Sequence, residues 1–140
     1  MGLDNGFYVK SNKRQLSRAD LPMGINYPFD KDYDPNGTPE IIYHRKDWGW
    51  RTDIMNSFGW RDSLDSEDWL FNIETPNDVL KLIEITASWL DKERWENEGN
   101  SIWDYEEIRP ILVRDIANLA IMYGFMLQNP DVYLEFYDSY

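Results

Sequence analysis

Cysteine is absent from the 140 residues, which excludes disulfides, thiolate metal sites and a Cys nucleophile. Histidine occurs once, as His44 in YHRKDWGWR. With one imidazole and no thiolate, a transition-metal site would have to be built almost wholly from carboxylates. Neither a G-x-S-x-G nucleophile elbow nor a Gly-rich phosphate cradle ending in G-K-[ST] occurs, so no enzyme class has positive support. No 18-residue uncharged apolar run is present either. The longest candidate, 111–127, is interrupted by Arg114, Asp115 and Asn118 and reads as a buried helix rather than a membrane span. The first residues show no charged-then-apolar secretion segment, and a cytoplasmic protein is the expectation.

Positive charge is scarce in one half only. Residues 62–140 hold five Lys/Arg against eighteen Asp/Glu, a net of −13, while residues 1–61 hold nine against eight. The chain total is therefore −12, all of the excess lying in the second half. Such a balance disfavours direct contact with nucleic-acid phosphates or an anionic membrane, and steers the protein towards basic surfaces.

Apolar residues make up 42% of the chain, enough for a globular fold. The length predicts a single domain, 1–140, burying roughly 68–70% of its unfolded surface. GFYVK, from Gly6, is a first strand candidate and EIIYHRK, from Glu40, a second. Between them, 11–39 is broken by Pro22, Pro28, Pro35, Pro39, Gly24 and Gly37 and reads as a long irregular loop, a length that is usually functional or mobile. Trp50, Ile54 and Phe58 recur at helical spacing, with Gly59 as a stop. DSLDSED is a polar turn and WLFNIE, from Trp69, a third strand candidate.

Thr75-Pro76-Asn77-Asp78 starts a helix, with Thr75 as N-cap and Pro76 at the first helical position. Val79, Leu80, Leu82, Ile83, Ala87 and Leu90 give it a broad apolar face, and it is expected to run to about Arg94. A further helix is expected from Tyr105 or Ile108, with Ile108, Leu112, Ile116, Leu119, Ala120, Tyr123 and Met126 on its inner face, ending at Asn129-Pro130. DVYLEFYDSY reads equally as a strand or as one or two further helical turns. The sum is an α+β domain, a small sheet from N-terminal strands packed against two longer C-terminal helices.

Two constellations suggest chemistry. Asp30, Asp32 and Asp34 in DKDYDPNG imitate a calcium loop, but Pro35 and Ile41 stand where an EF-hand needs Gly and a bidentate Glu. Pro-Asn-Gly is better explained as turn chemistry, and no metal or other cofactor is expected. His44 reads as a structural residue or as part of a basic spot with Arg45, Lys46 and Arg51.

The segment WENEGNSIWDYEE, Trp95 to Glu107, sets large rings among carboxylates with no Lys or Arg. Interface hot spots are enriched in Trp and Tyr. Trp95 and Trp103 are expected to anchor a partner, with Glu96, Glu98, Asp104, Glu106 and Glu107 steering it. A solvated connection with the rings folded inward would give the same sequence.

The opening MGLD, Met1 to Asp4, followed by an aromatic β segment, resembles small phage-encoded proteins of unknown function that begin MGLDMYLY. In those a later W-R-K-rich segment leads into an amphipathic helix, and YHRKDWGWRTDIMNSFGW, Tyr43 to Trp60, is similar in kind. This chain departs at Asn5-Gly6, where that family has Met-Tyr, so no residue role carries over. The resemblance implies a phage or prophage origin. Small acidic phage proteins are similar in character to anti-CRISPR and anti-restriction inhibitors, many of which occupy a basic nucleic-acid channel with carboxylates in place of phosphates. Duplex DNA presents one charge per about 1.7 Å of axis, a density that a helix-borne row of acids approximates. The expectation is a non-enzymatic inhibitor that binds a basic, nucleic-acid-handling host defence protein. The alternatives are a phage structural or assembly protein pairing through its C-terminal Tyr and Phe residues, and a metal-dependent enzyme using the Asp30–Asp34 loop with His44.

Overall fold

The computed structural model describes residues 4–29, 34–58 and 69–139, with the backbone alone at Trp69 and Leu70. Among the described residues there are four strands: β1 (Asp4–Ser11), β2 (Glu40–Arg45), β3 (Trp69–Ile73) and β4 (Val132–Ser139). They form one antiparallel sheet in the order β2-β1-β4-β3. The helices are α1 (Trp48–Ser57), α2 (Pro76–Ser88), α3 (Lys92–Glu98) and α4 (Tyr105–Gln128). This is the α+β fold that the patterning predicts.

Strand periodicity decides which face is covered. Phe7 and Val9 of β1, Ile42 of β2, Ile73 of β3 and Leu134 and Phe136 of β4 share one face and are buried. They form a single core with Val79 and Leu82 of α2 and Leu112, Leu119, Met122 and Met126 of α4. Phe7 meets Phe136 edge-on at 5.1 Å, and Phe71 stacks on Phe136 at 4.7 Å. The other face, with Tyr8, Lys10, Tyr43, Tyr133, Glu135 and Tyr137, is exposed or half-buried. Gly6 lies between Tyr43 and Tyr137 in the ladder, and a Cβ there would come within 2.2 Å of the Ile42 carbonyl. Only glycine fits that approach.

The C-terminal segment is a strand. Paired to β1 on one side and β3 on the other, it is a central member of the sheet. Alternation of Val132, Leu134 and Phe136 with half-exposed neighbours selects the strand over further helical turns, because only a period of two puts all three on the core face.

The helix expected to run from Pro76 to about Arg94 stops at Ser88. Trp89 and Leu90 bond back to Thr86 and Ala87, tightening the last turn, and Asp91 then caps a new helix by accepting the Arg94 N–H. α4 carries Pro110 at its sixth residue, just past the first turn, and forgoes there the bond that residue 110 would give to the Glu106 carbonyl. By length and composition α4 alone among the described helices could cross a membrane. Its inner face packs on the sheet and α2, and Val113 and Leu127 lie on its outer face, 49% and 56% exposed.

Of the 11–39 segment, Ser11 ends β1 and the other described residues are irregular apart from a short 3-10 turn, Arg18–Asp20. Its described part is packed rather than loose: Leu16, Leu21 and Tyr27 are buried. Arg18, buried over the Tyr27 ring at 4.2 Å, donates Nε–H to the Thr38 carbonyl. Asn118 of α4 donates to the Asn26 and Ile41 carbonyls and accepts from the Asn26 N–H, joining this segment to β2 and α4.

Candidate functional site

The acidic segment spans α3, a link at 99–104 and the first turn of α4. Asp104 caps α4, accepting from the Glu107 N–H at 3.0 Å while the Glu107 carboxylate accepts in return from the Asp104 N–H. Glu106 and Glu107 sit where the helix dipole favours anions. The link is tied to the body by Ser101, which pairs with Asp47 through the backbone and donates its hydroxyl to the Asp47 carboxylate. Gly49, in the first turn of α1, donates its N–H to the Gly99 carbonyl at 2.9 Å.

The two tryptophans of this segment part company. Trp95 is 3% exposed, meets Trp89 edge-on at 5.9 Å and donates its indole N–H to the Trp103 carbonyl at 3.0 Å. It is therefore a core residue, and its ring is not offered to a partner. Because the chain breaks after Ser88, Trp95 belongs to a separate helix with its own inward face, which the reading of one continuous helix hid. Trp103 is half-buried. Glu96, Glu98, Asp104, Glu106 and Glu107 are all exposed. Glu98 meets Arg94 at 3.3 Å, and Arg94 also reaches Asp53 at 3.2 Å and lies over the Trp89 ring. Glu96 and Glu106 make no hydrogen bond or ion pair among the described residues. Over 91–107 seven Asp/Glu face two Lys/Arg.

Behind this corner lies a buried ion cluster. His44, on the core face of β2, is fully enclosed: Nδ1–H points to Asp47 at 2.5 Å and Nε2–H to Asp115 of α4 at 2.6 Å. The ring stacks on Trp50 at 4.0 Å and 12°. Burial pulls the imidazole pKa down, but the Asp115 charge and hydrogen bond, with those of Asp47, outweigh it and raise it to about 9. His44 is thus an imidazolium that has given both N–H groups to carboxylates. A proton already bound and a ring sealed from solvent leave it unsuited to act as a general base or a metal ligand. It is a structural residue; it does not form a basic spot with Arg51, which instead grips buried Asp138 through two bonds at 2.7 and 2.6 Å.

Of the calcium-like loop, Asp30 and Asp32 lie outside the described residues, as do Gly59, Trp60 and the DSLDSED turn. Asp34 is described, and its carboxylate accepts from the Asn36 N–H at 3.0 Å, which is turn chemistry. No group of three or more His, Asp or Glu among the described residues is placed to hold a metal ion. The Tyr and Phe residues of β4 belong to a strand whose two edges are both occupied within the chain.

Compared with protein-family models, curated proteins and solved structures, the chain matches none. The fold therefore defines it as an α+β domain, and its function must be argued from its own residues.

Proposed function

We propose that this protein is a non-catalytic binding protein that docks on a basic surface of a nucleic-acid-handling protein through the corner formed by α3, the 99–104 link and the start of α4. The observation that carries the reading is the exposure of Glu96, Glu98, Asp104, Glu106 and Glu107 on a scaffold fixed by the buried Trp95 and by Asp47–Ser101. A pre-ordered row of carboxylates competes for Lys- and Arg-lined channels without ordering cost at the moment of binding. Trp103 replaces the pair of rings as the aromatic element. In the setting that the MGLD opening implies, the partner belongs to a host defence system and the chain acts as its inhibitor.

The test is a pull-down from nuclease-treated bacterial lysate with the tagged chain, washed at low and then high salt. A retained nucleic-acid-binding protein that weakens at high salt is the expected result. The double variant Glu96→Lys, Glu106→Lys should then lose about tenfold or more in affinity for that protein, with the melting temperature lowered only slightly by the charge reversal at the α4 N-terminus, since neither side chain has an ion-pair partner among the described residues. Retention of full affinity in this variant overturns the proposal.

A further inference from the structure

We propose that a small cavity between edge strand β2 and the first turns of α4 is a binding site for a carboxylate borne on a short apolar stem. This inference stands apart from the acidic corner. The cavity has a volume of about 120 Å³, room for about four waters at ~30 Å³ each. Its walls are mostly apolar, from Pro28, Tyr43, Trp103 and Ile111, and its cations are Arg45 and Arg114.

Two features point to an anion. Arg45 is exposed and makes no ion pair among the described residues. Arg114 is half-buried and held among the described residues by one long bond from Nη2 to Asp115 at 3.4 Å, while its Nε–H, shut off from solvent, has no acceptor among them. Most of that donor fork is therefore uncommitted, and Arg114 lines the cavity while its Nη2 stays with Asp115. The two arginines are the cations free to meet a ligand there, since His44 is held between Asp47 and Asp115, and Asp4 is engaged by the Tyr43 hydroxyl. An arginine fork matches a planar carboxylate by two parallel bonds, and the apolar walls suit the few carbons behind it. The size suits a carboxylate with a few carbons, and the rest of any larger ligand would lie outside the cavity. The carboxylate could come from a free short-chain acid or from a Glu side chain of a peptide.

The experiment is an amide and side-chain NMR titration of the full chain at neutral pH. Sodium propionate is one ligand and N-acetyl-glutamate amide the other, with sodium chloride at matched ionic strength as control. Saturable shifts of the Trp103 indole and Arg114 side-chain signals are expected, with a Kd of about 1–10 mM given how few atoms such a ligand contributes. Tighter binding of one ligand assigns the source, and saturation by either supports the site. Arg45→Gln, an exposed change that keeps the fold, and Arg114→Gln should each weaken binding about fivefold or more. The Glu96→Lys, Glu106→Lys double variant should still bind, which separates this proposal from the acidic-corner reading. Chloride-like linear shifts with both ligands, or equal saturation in both arginine variants, overturns it.

Discussion

An ionised carboxylate in the middle of an apolar helix face costs several kcal/mol unless cations and hydrogen bonds meet it. Asp115 is such a group, fully buried among Ile108, Leu112, Leu119 and Met122, and His44 and Arg114 are what meet it. Since the His44 pKa is raised from its ordinary 6.5 to about 9 on folding, its contribution is fully present below pH 6.5 and is lost as the pH rises through about 9. That window corresponds to about 3 kcal/mol. Thermal denaturation between pH 6.5 and 9.5 should show a falling melting temperature. Asp115→Asn should lower stability at neutral pH by about 3–5 kcal/mol and flatten the fall, since it leaves a buried cation with half its support. An equally steep fall in the variant would refute this coupling. The cluster was legible in principle. Asp115 and Asn118 keep the helical spacing of Ile108, Leu112, Leu119 and Met122, and a polar residue inside an apolar stripe announces a buried partner. A stripe drawn through half-exposed Ile116 passed over both.

At the scale of elements, local chemistry was readable where a side chain talks to its own backbone. Thr75 caps α2 by accepting from the Asp78 N–H at 3.2 Å, as Thr-Pro-Asn-Asp announced. Thr75→Ala should cost about 1 kcal/mol, read from urea denaturation with an unchanged m-value. What the pattern did not reveal was the stop at Ser88, because Lys92, Glu93 and Arg94 have good helix propensity and the break depends on Asp91 capping a new start. Gly49 shows why that start is placed where it is. A Cβ there would lie 2.7 Å from the Glu98 carbonyl and 2.8 Å from the Trp89 ring, so α1 and the end of α3 touch backbone to backbone. Gly49→Ala should destabilise by about 1–3 kcal/mol through this overpacking, measured by the same denaturation curves. It should also shift the 99–104 link, so loss of partner binding is expected here even though no carboxylate changes.

The whole molecule separates what charge bookkeeping reveals from what only topology reveals. That the second half is acidic and exposed at 96–107 was legible, because five carboxylates without cations have nowhere to go but water. That Trp95 faces inward was not, since burial of a ring depends on the helix break and on Trp89 across from it. Nor was the bridging of distant segments: Arg51 of α1 and Asp138 of β4 are far apart in sequence yet form a two-point ion pair with Asp138 wholly buried. Arg51→Ala strands that carboxylate and should cost about 3–5 kcal/mol, visible as a large fall in melting temperature. Restoring the pair with lysine should recover less than half, because a point charge cannot span both oxygens.

The central place of β4 bears on how the chain is made. Until Val132–Ser139 has left the ribosome, β3 has no strand beside it and β1 has only β2. Throughout that interval the apolar rows of Phe7, Val9, Phe71 and Ile73 wait for Leu134 and Phe136. Closure of the sheet is therefore a late event of long sequence separation, slow by its loop entropy. Until then β3 is unpaired and β1 has one open edge, the two places where the incomplete sheet is open to aggregation.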